Sequence, residues 1–403
     1  MKIMYLTDVG FDTPNSNNRL VVSMLHEFLK AGNEVYLVQS HSTGTYEDVP
    51  EILKKYKNFT CDTIEKKVVK RTNFIKRYLN GLKFEYDAKK KWKKEIDSVD
   101  IVLLQSHFTA WYAAWLLRKS EAKLVFNIYD IFPGEAYANG NIKNKFIYDC
   151  FAFLQKYLYK KCDKLFTLTE DTQKTLVDLG IEMNKIAIIP NWFDSEKNYE
   201  IEISENKFLK KYHLDTSKRY IQYAGSIGVA YNFDVILNIA KELSYRNDII
   251  FQIVGEGLFL DKVKEKARSM KLKNIQFLPW QSEEIISDVY SAATLQIVPL
   301  RENVIRHSYP SKILPLMACS RVPIISVEED SYFYKEINKN EVGFACPIGN
   351  INLLKEKIIY LIDNYKILNE YQKNACKYVN EKFTAAENTK KMLFEFKKIL
   401  RSK

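Results

Sequence analysis

Short runs of β-branched, aromatic and aliphatic residues recur along this chain, with amphipathic helical stretches between them. The first series is KIMYLT (2–7), EVYLV (34–38), DIVLLQ (100–105), KLVFNIYD (123–130), KLFTLT (164–169) and KIAIIP (185–190). Buried strands alternating with helices predict a parallel sheet covered on both faces, so residues 1–195 read as one doubly wound α/β domain. After Pro190 the chain turns charged and loses strand periodicity until Tyr220, as an interdomain connection does. A second series then begins: RYIQYAG (219–225), IIFQIVGEG (249–257), NIQFLP (274–279), TLQIVPL (294–300), VPIIS (322–326) and VGFACP (342–347). It predicts a second doubly wound domain over 196–380. From Asn350 onward the composition is helical, and the stripe Met392, Phe394, Phe396, Ile399 and Leu400 predicts that residues 381–403 return to the first domain.

Composition supports two cores. The chain has 403 residues, too many for one ordinary α/β core, and 46% of them are hydrophobic, which excludes intrinsic disorder. Six scattered cysteines without a CxxC pair suit a reducing compartment and no metal centre. The start turns polar at Thr7 and Asp8, before an export signal could form. The apolar segment Ile101 to Leu117 is broken by Gln105, Ser106, His107 and Thr109, so it reads as a strand followed by a buried helix. Charge is unevenly spread. Between Lys54 and Lys94 there are 15 Lys and Arg against 4 Asp and Glu, and that excess of +11 equals the net charge of the whole chain.

In parallel sheets ligands bind at the carboxyl ends of strands, so two such domains facing across a cleft suit a two-substrate transfer. The second half carries YAGSIGVAYNFDVILNIAKEL, FQIVGEG, FLPWQSEEIISDVYSAATLQIVPL and HSYPSKILPLMACSRVPIIS in that order. It closely resembles the donor domain of the large bacterial family of retaining GT-B glycosyltransferases, family four. Its PSK signature is similar to that of the branch building surface polysaccharides. NIYDIFPGEA (127–136), LFTLTEDTQKTLVDLGI (165–181) and IIPNWFD (188–194) extend the resemblance, more loosely, over the first half. The resemblance implies two Rossmann-like domains, the first holding the acceptor and the second a nucleotide-sugar donor.

Within that resemblance, Gly225, Ser226 and Gly228 follow a strand, and their small size lets the backbone approach a phosphate or merely turns the chain. Gly255, Glu256 and Gly257 are placed beside the nucleotide base, with Trp280 either beside them or in the core. The loop Arg306, His307, Ser308, Tyr309, Pro310, Ser311, Lys312 gathers cations at an expected helix start, as a diphosphate leaving group requires. Lys312 is the leading diphosphate ligand and Arg306 the second. Relatives place two glutamates around this turn, and here His307 and Pro315 stand at those positions, with His307 or Glu302 available to compensate. Arg19, in a loop where relatives carry glycines, is a further cation for the diphosphate.

On the acceptor side, His107 and Asp130 follow strands and can orient a hydroxyl, or His107 can be structural. No Asp-x-Asp occurs in the chain, so neither a metal nor any other cofactor is expected. The implied reaction is metal-independent transfer with retention to a lipid-linked saccharide, on the cytoplasmic side and peripheral to the membrane. A nucleotide-sugar 2-epimerase or an inactive partner subunit of the same fold are the alternatives. The membrane surface is expected over residues 70–94, with Phe74, Tyr78 and Trp92 inserting and Lys89, Lys90, Lys91, Lys93 and Lys94 meeting anionic headgroups. No nucleic-acid-binding motif accompanies those lysines.

Overall fold

The computed structural model describes residues 1–11, 16–42, 49–67, 69, 74–138 and 142–402. They divide into two compact units: residues 1–191 with 385–403, and residues 192–384. The sequence reading put the changes at 195 and 381.

Among the described residues, unit 1 contains a seven-stranded parallel sheet built from β1 (Lys2–Leu6), β2 (Glu34–Ser42), β3 (Phe59–Lys66), β4 (Ile101–Gln105), β5 (Lys123–Asn127), β6 (Lys164–Thr167) and β7 (Ile186–Ile188). Their order is β3-β2-β1-β4-β5-β6-β7. Unit 2 repeats the scheme with β8 (Arg219–Ala224), β9 (Ile249–Val254), β10 (Ile275–Leu278), β11 (Leu295–Pro299), β12 (Val322–Val327) and β13 (Phe344–Pro347), in the order β10-β9-β8-β11-β12-β13. These are two Rossmann-like domains, as the pattern implied. In each sheet the winding reverses between the first strand and its later neighbour, β1 beside β4 and β8 beside β11. A crevice opens at such a switch point because the loops leaving the two strands diverge.

The strand the pattern missed is β3. Its sequence FTCDTIEK buries only Ile64, because it is an edge strand paired on one side with β2, and so it lacks the apolar run of its neighbours. The central strands are buried on both faces, which is why they read so clearly.

In unit 2 four glutamines, Gln276 half-buried and the other three buried, lie in register across β11, β8, β9 and β10. Gln296 donates to Gln222 at 2.8 Å, Gln222 to Gln252 at 3.1 Å and Gln252 to Gln276 at 3.0 Å.

The segment after Trp192 is no free linker. The Tyr199 and Ile201 amides donate to the hydroxyls of Ser287 and Ser291, fastening it to helix Ile286–Ser291. The last helix, Ala385–Arg401, lies in unit 1, where Phe396 is fully buried between the rings of Phe28 and Phe166 and Glu395 pairs with Lys164 at 2.7 Å. Phe394, expected in the same stripe, is instead exposed, because it sits two positions from Phe396 and so points away from that face.

Candidate functional site

Unit 2 brings its residues together at the β8/β11 switch point. The turn after β8 passes through Gly225 at φ 138°, and a side-chain carbon there would lie 2.8 Å from the Lys312 Nζ. Lys312 comes from the far end of the loop after β11 and caps the short helix Ile313–Ala318. Its ammonium nitrogen lies 3.8 Å from the ring centre of Tyr223 and 4.1 Å from that of Tyr231. That nitrogen is buried and has no hydrogen-bond partner among the described residues. Burial pushes the amine well below the usual lysine range. The aromatic faces return part of the lost hydration. Tyr223 also braces the turn, donating from its hydroxyl to the Ser226 carbonyl at 2.5 Å, and the Ser226 side chain is exposed.

The second glycine turn packs on the first. Gly255 and Gly257 have φ 149° and 155°, and added side-chain carbons would lie 2.0 Å from the Gly225 carbonyl oxygen and 2.4 Å from that of Ile227. The Gly225 amide donates to the Val254 carbonyl and that of Ile227 to Glu256, so the two turns form one backbone layer. Glu256 and Trp280 beside it are exposed.

The rest of the cationic loop divides. Arg306 pairs with Asp330 at 3.0 Å, so its charge is already engaged. His307, in the one-turn helix Val304–His307, is partly buried, and burial with Arg306 beside it lowers its pKa. Tyr309 packs edge-on against Phe333, burial raises its phenol, Ser308 is half-buried and Ser311 is exposed. Pro315 falls in the first turn of its helix, where a missing N–H breaks no helical bond.

Unit 1 gathers a different group at the β1/β4 switch point. His107 follows β4 and Asp8 follows β1, and both line a cavity of about 390 Å³ with Lys66 and Arg77. The His107 Nδ1 faces the Gln105 carbonyl at 2.6 Å and its Nε2 faces the buried carboxylate of Glu85. The Gln105 carbonyl takes an N–H from Nδ1, and in the imidazolium form Nε2 also gives one to Glu85. Burial opposes that charge, but Asp8 and Glu85 outweigh it and raise the pKa to about 9. Asp8 is held ionised despite its burial by His107, Lys66 at 2.7 Å and Arg77. Asp130 is exposed and outside the walls of this cavity, and Arg19 is half-buried in helix Ser16–Lys30 of the same unit.

Sequence reasoning missed Asp8, Lys66, Arg77 and Glu85 here, and Tyr223 and Tyr231 in unit 2. The available signal was Glu85, a carboxylate on the same helix face as Gly81, Ala88 and Trp92.

Three expected membrane side chains are corrected. Trp92 is buried in the core of unit 1. Phe74 and Tyr78 are partly buried, and their rings pack with Phe108 and Phe151 because they share the inward face of helix Phe74–Trp92. The outward stripe is Ile75, Leu79 and Tyr86, exposed at 72%, 59% and 53%. Lys90, Lys91, Lys93 and Lys94 are exposed and Lys89 is half-buried, while residues 70–73 lie outside the described residues. Among the described residues, no helix is long and apolar enough to cross a membrane, and no group of three or more His, Cys, Asp or Glu could hold a metal ion.

Residues 204–378 match the family model described as glycosyl transferases group 1, and residues 18–197 match that described as Glycosyltransferase Family 4. The chain is a glycosyltransferase of the GT-B fold. WcaI of Escherichia coli (strain K12), named as a colanic acid biosynthesis glycosyl transferase, is 23% identical over 167 residues, 41% of each chain. The sucrose-phosphate synthase of Thermosynechococcus elongatus superposes over all of both chains with TM-score 0.75 at 13% identity. HepE of Anabaena, solved with UDP and glucose, superposes over 99% of this chain and 100% of its own with TM-score 0.73 at 12% identity. WaaG, a glycosyltransferase involved in lipopolysaccharide biosynthesis, covers 98% of this chain and 99% of its own with TM-score 0.69 at 14% identity.

Two outcomes follow for this glycosyltransferase. Replacing Lys312 with Met keeps the shape and removes an unpartnered buried amine, so unit 2 should gain about 1 kcal/mol in urea denaturation. A loss of stability would mean the amine has a partner that the geometry does not show. The raised pKa of His107 stabilises unit 1 fully below pH 6.5, and that contribution is lost as pH rises through about 9. The denaturation midpoint should fall across that window in the wild type and stay flatter in His107→Gln; identical profiles would contradict the ion pair.

Proposed function

We propose that the chain transfers a sugar from a nucleotide-sugar to a saccharide acceptor in surface-polysaccharide assembly, with retention and without a metal. The observation that carries this reading is the Lys312 ammonium, buried without a hydrogen-bond partner against the Gly225 turn. A donor diphosphate laid along that turn supplies the missing acceptor, and the lysine then stabilises the charge that grows as the glycosidic bond breaks. The solved structure of HepE with UDP and the name of WcaI support the donor class and the pathway class. In the transfer, the acceptor oxygen bonds to the anomeric carbon as the bond to the diphosphate opens, and the acceptor proton passes to the departing phosphate. His107 takes no proton, since both of its nitrogens already donate. Asp8 and Asp130 orient the acceptor, and the charge of His107 helps to keep Asp8 ionised. Arg306 has a lesser role at the diphosphate.

Incubation with UDP-, GDP- and dTDP-sugars tests the whole reading. One of them should be bound and slowly hydrolysed in excess EDTA, with retained anomeric configuration in the product. Lys312→Met should lower turnover about a hundredfold while remaining folded. Wild-type turnover in that variant, or activity abolished by EDTA and restored by Mg²⁺, would overturn it. C2 epimerisation of the sugar would mark an epimerase, and binding without turnover a partner subunit.

The lipid-linked acceptor is reached, in this reading, through the outward face of helix Phe74–Trp92, where Ile75, Leu79 and Tyr86 stand among Lys83, Lys90 and Lys93. Each such lysine contributes on the order of 1 kcal/mol near an anionic surface. Co-sedimentation with anionic vesicles should weaken with salt and drop on Ile75→Asp with Leu79→Asp. Indifference of the wild type to anionic vesicles at low salt would leave a soluble acceptor.

A further inference from the structure

At the end of the unit 2 sheet opposite the glycine turns, the entrances of three neighbouring strands, β8, β11 and β12, open on a cavity of about 450 Å³. Residues 200–203 and the first turns of helix Tyr365–Lys382 complete its walls. The volume matches that of small-molecule pockets. The position does not match the donor, which parallel sheets bind at their carboxyl ends.

Arg321, the residue before β12, is only 9% exposed and lines this cavity. One guanidinium nitrogen pairs with Glu200 at 2.5 Å, while the buried Nε has no hydrogen-bond partner among the described residues. An unsatisfied buried N–H is unfavourable, and the flat fork of a guanidinium fits two oxygens of one anion. Lys218, Arg219 and Lys373 share the walls with Glu200 and Glu202, leaving cations in excess. Tyr365 and Leu368, in the first turn of an 18-residue helix whose first-turn N–H groups have no side-chain cap, line the same space. The amide side chains of Asn369 and Gln372 line the wall beyond, suited to hydroxyl groups.

We propose that this cavity is a second ligand site of unit 2, separate from the glycine turns, for a small phosphate monoester of the sugar-phosphate type anchored by Arg321. The anion takes the free Nε–H, and the hydroxyls of the ligand meet the amides.

Calorimetry on the full chain with glucose 6-phosphate tests this, with inorganic phosphate as the second probe. The wild type should bind glucose 6-phosphate more tightly than phosphate. Arg321→Lys, which keeps the charge and loses the fork, and the exposed Lys373→Ala should each weaken binding about tenfold, with unchanged unfolding midpoints. Lys312→Met should bind as the wild type does. The proposal fails if millimolar glucose 6-phosphate does not bind, if inorganic phosphate binds equally well, or if both wall variants bind normally. It also fails if Lys312→Met abolishes binding and Arg321→Lys does not, because the ligand would then sit at the glycine turns.

Discussion

Each half of this protein begins its sheet in the middle, and that constraint of connectivity places the candidate chemistry. Because β1 and β8 are laid down first and later strands are added on both sides, the loops leaving β1 and β4, and those leaving β8 and β11, must part. Asp8 and His107 lie in the first opening; Gly225 and the loop ending at Lys312 lie in the second. The chemistry differs between the halves, but the reason for its location is the same.

The two openings handle buried charge in opposite ways. In unit 1 the charges are compensated: the His107 imidazolium lies between Asp8 and Glu85, and Asp8 is also held by Lys66. Such a network fixes geometry, while burial raises the Glu85 carboxyl above its usual range. In unit 2 the Lys312 amine has aromatic faces and a glycine turn but no counter-ion among the described residues. In the proposed donor complex, an anion from outside the chain supplies the partner this amine lacks.

Most strands and the division into two doubly wound domains were legible in the sequence, since strands buried on both faces produce unbroken apolar runs such as IVLLQ and IIFQIV. The edge strand β3 was not, because one exposed side leaves it only Ile64 to bury. Lys312 and the Gly225 turn could be picked out because glycine and a cation beside a helix start have a narrow set of uses. Tyr223 and Tyr231 could not, because an aromatic residue at a strand end looks the same whether it packs on a core or under an amine. Trp92 and Phe74 misled for a related reason. Aromatics among lysines resemble a membrane edge, and only the side of the helix on which each falls tells an inserting ring from one packed on its own domain.

The glutamine row through the unit 2 sheet carries a further implication. From Gln296 through Gln222 and Gln252 to Gln276, every amide gives its N–H to the next carbonyl, so the row has a direction, like a queue facing one way. Turning one amide over would set carbonyl against carbonyl on one side and N–H against N–H on the other. Sliding one strand by a residue would carry its amide out of the row altogether. An apolar layer tolerates such slips more readily, since one methyl packs much like another. The strands that carry the glycine turns are thus aligned by a row that is satisfied in only one register.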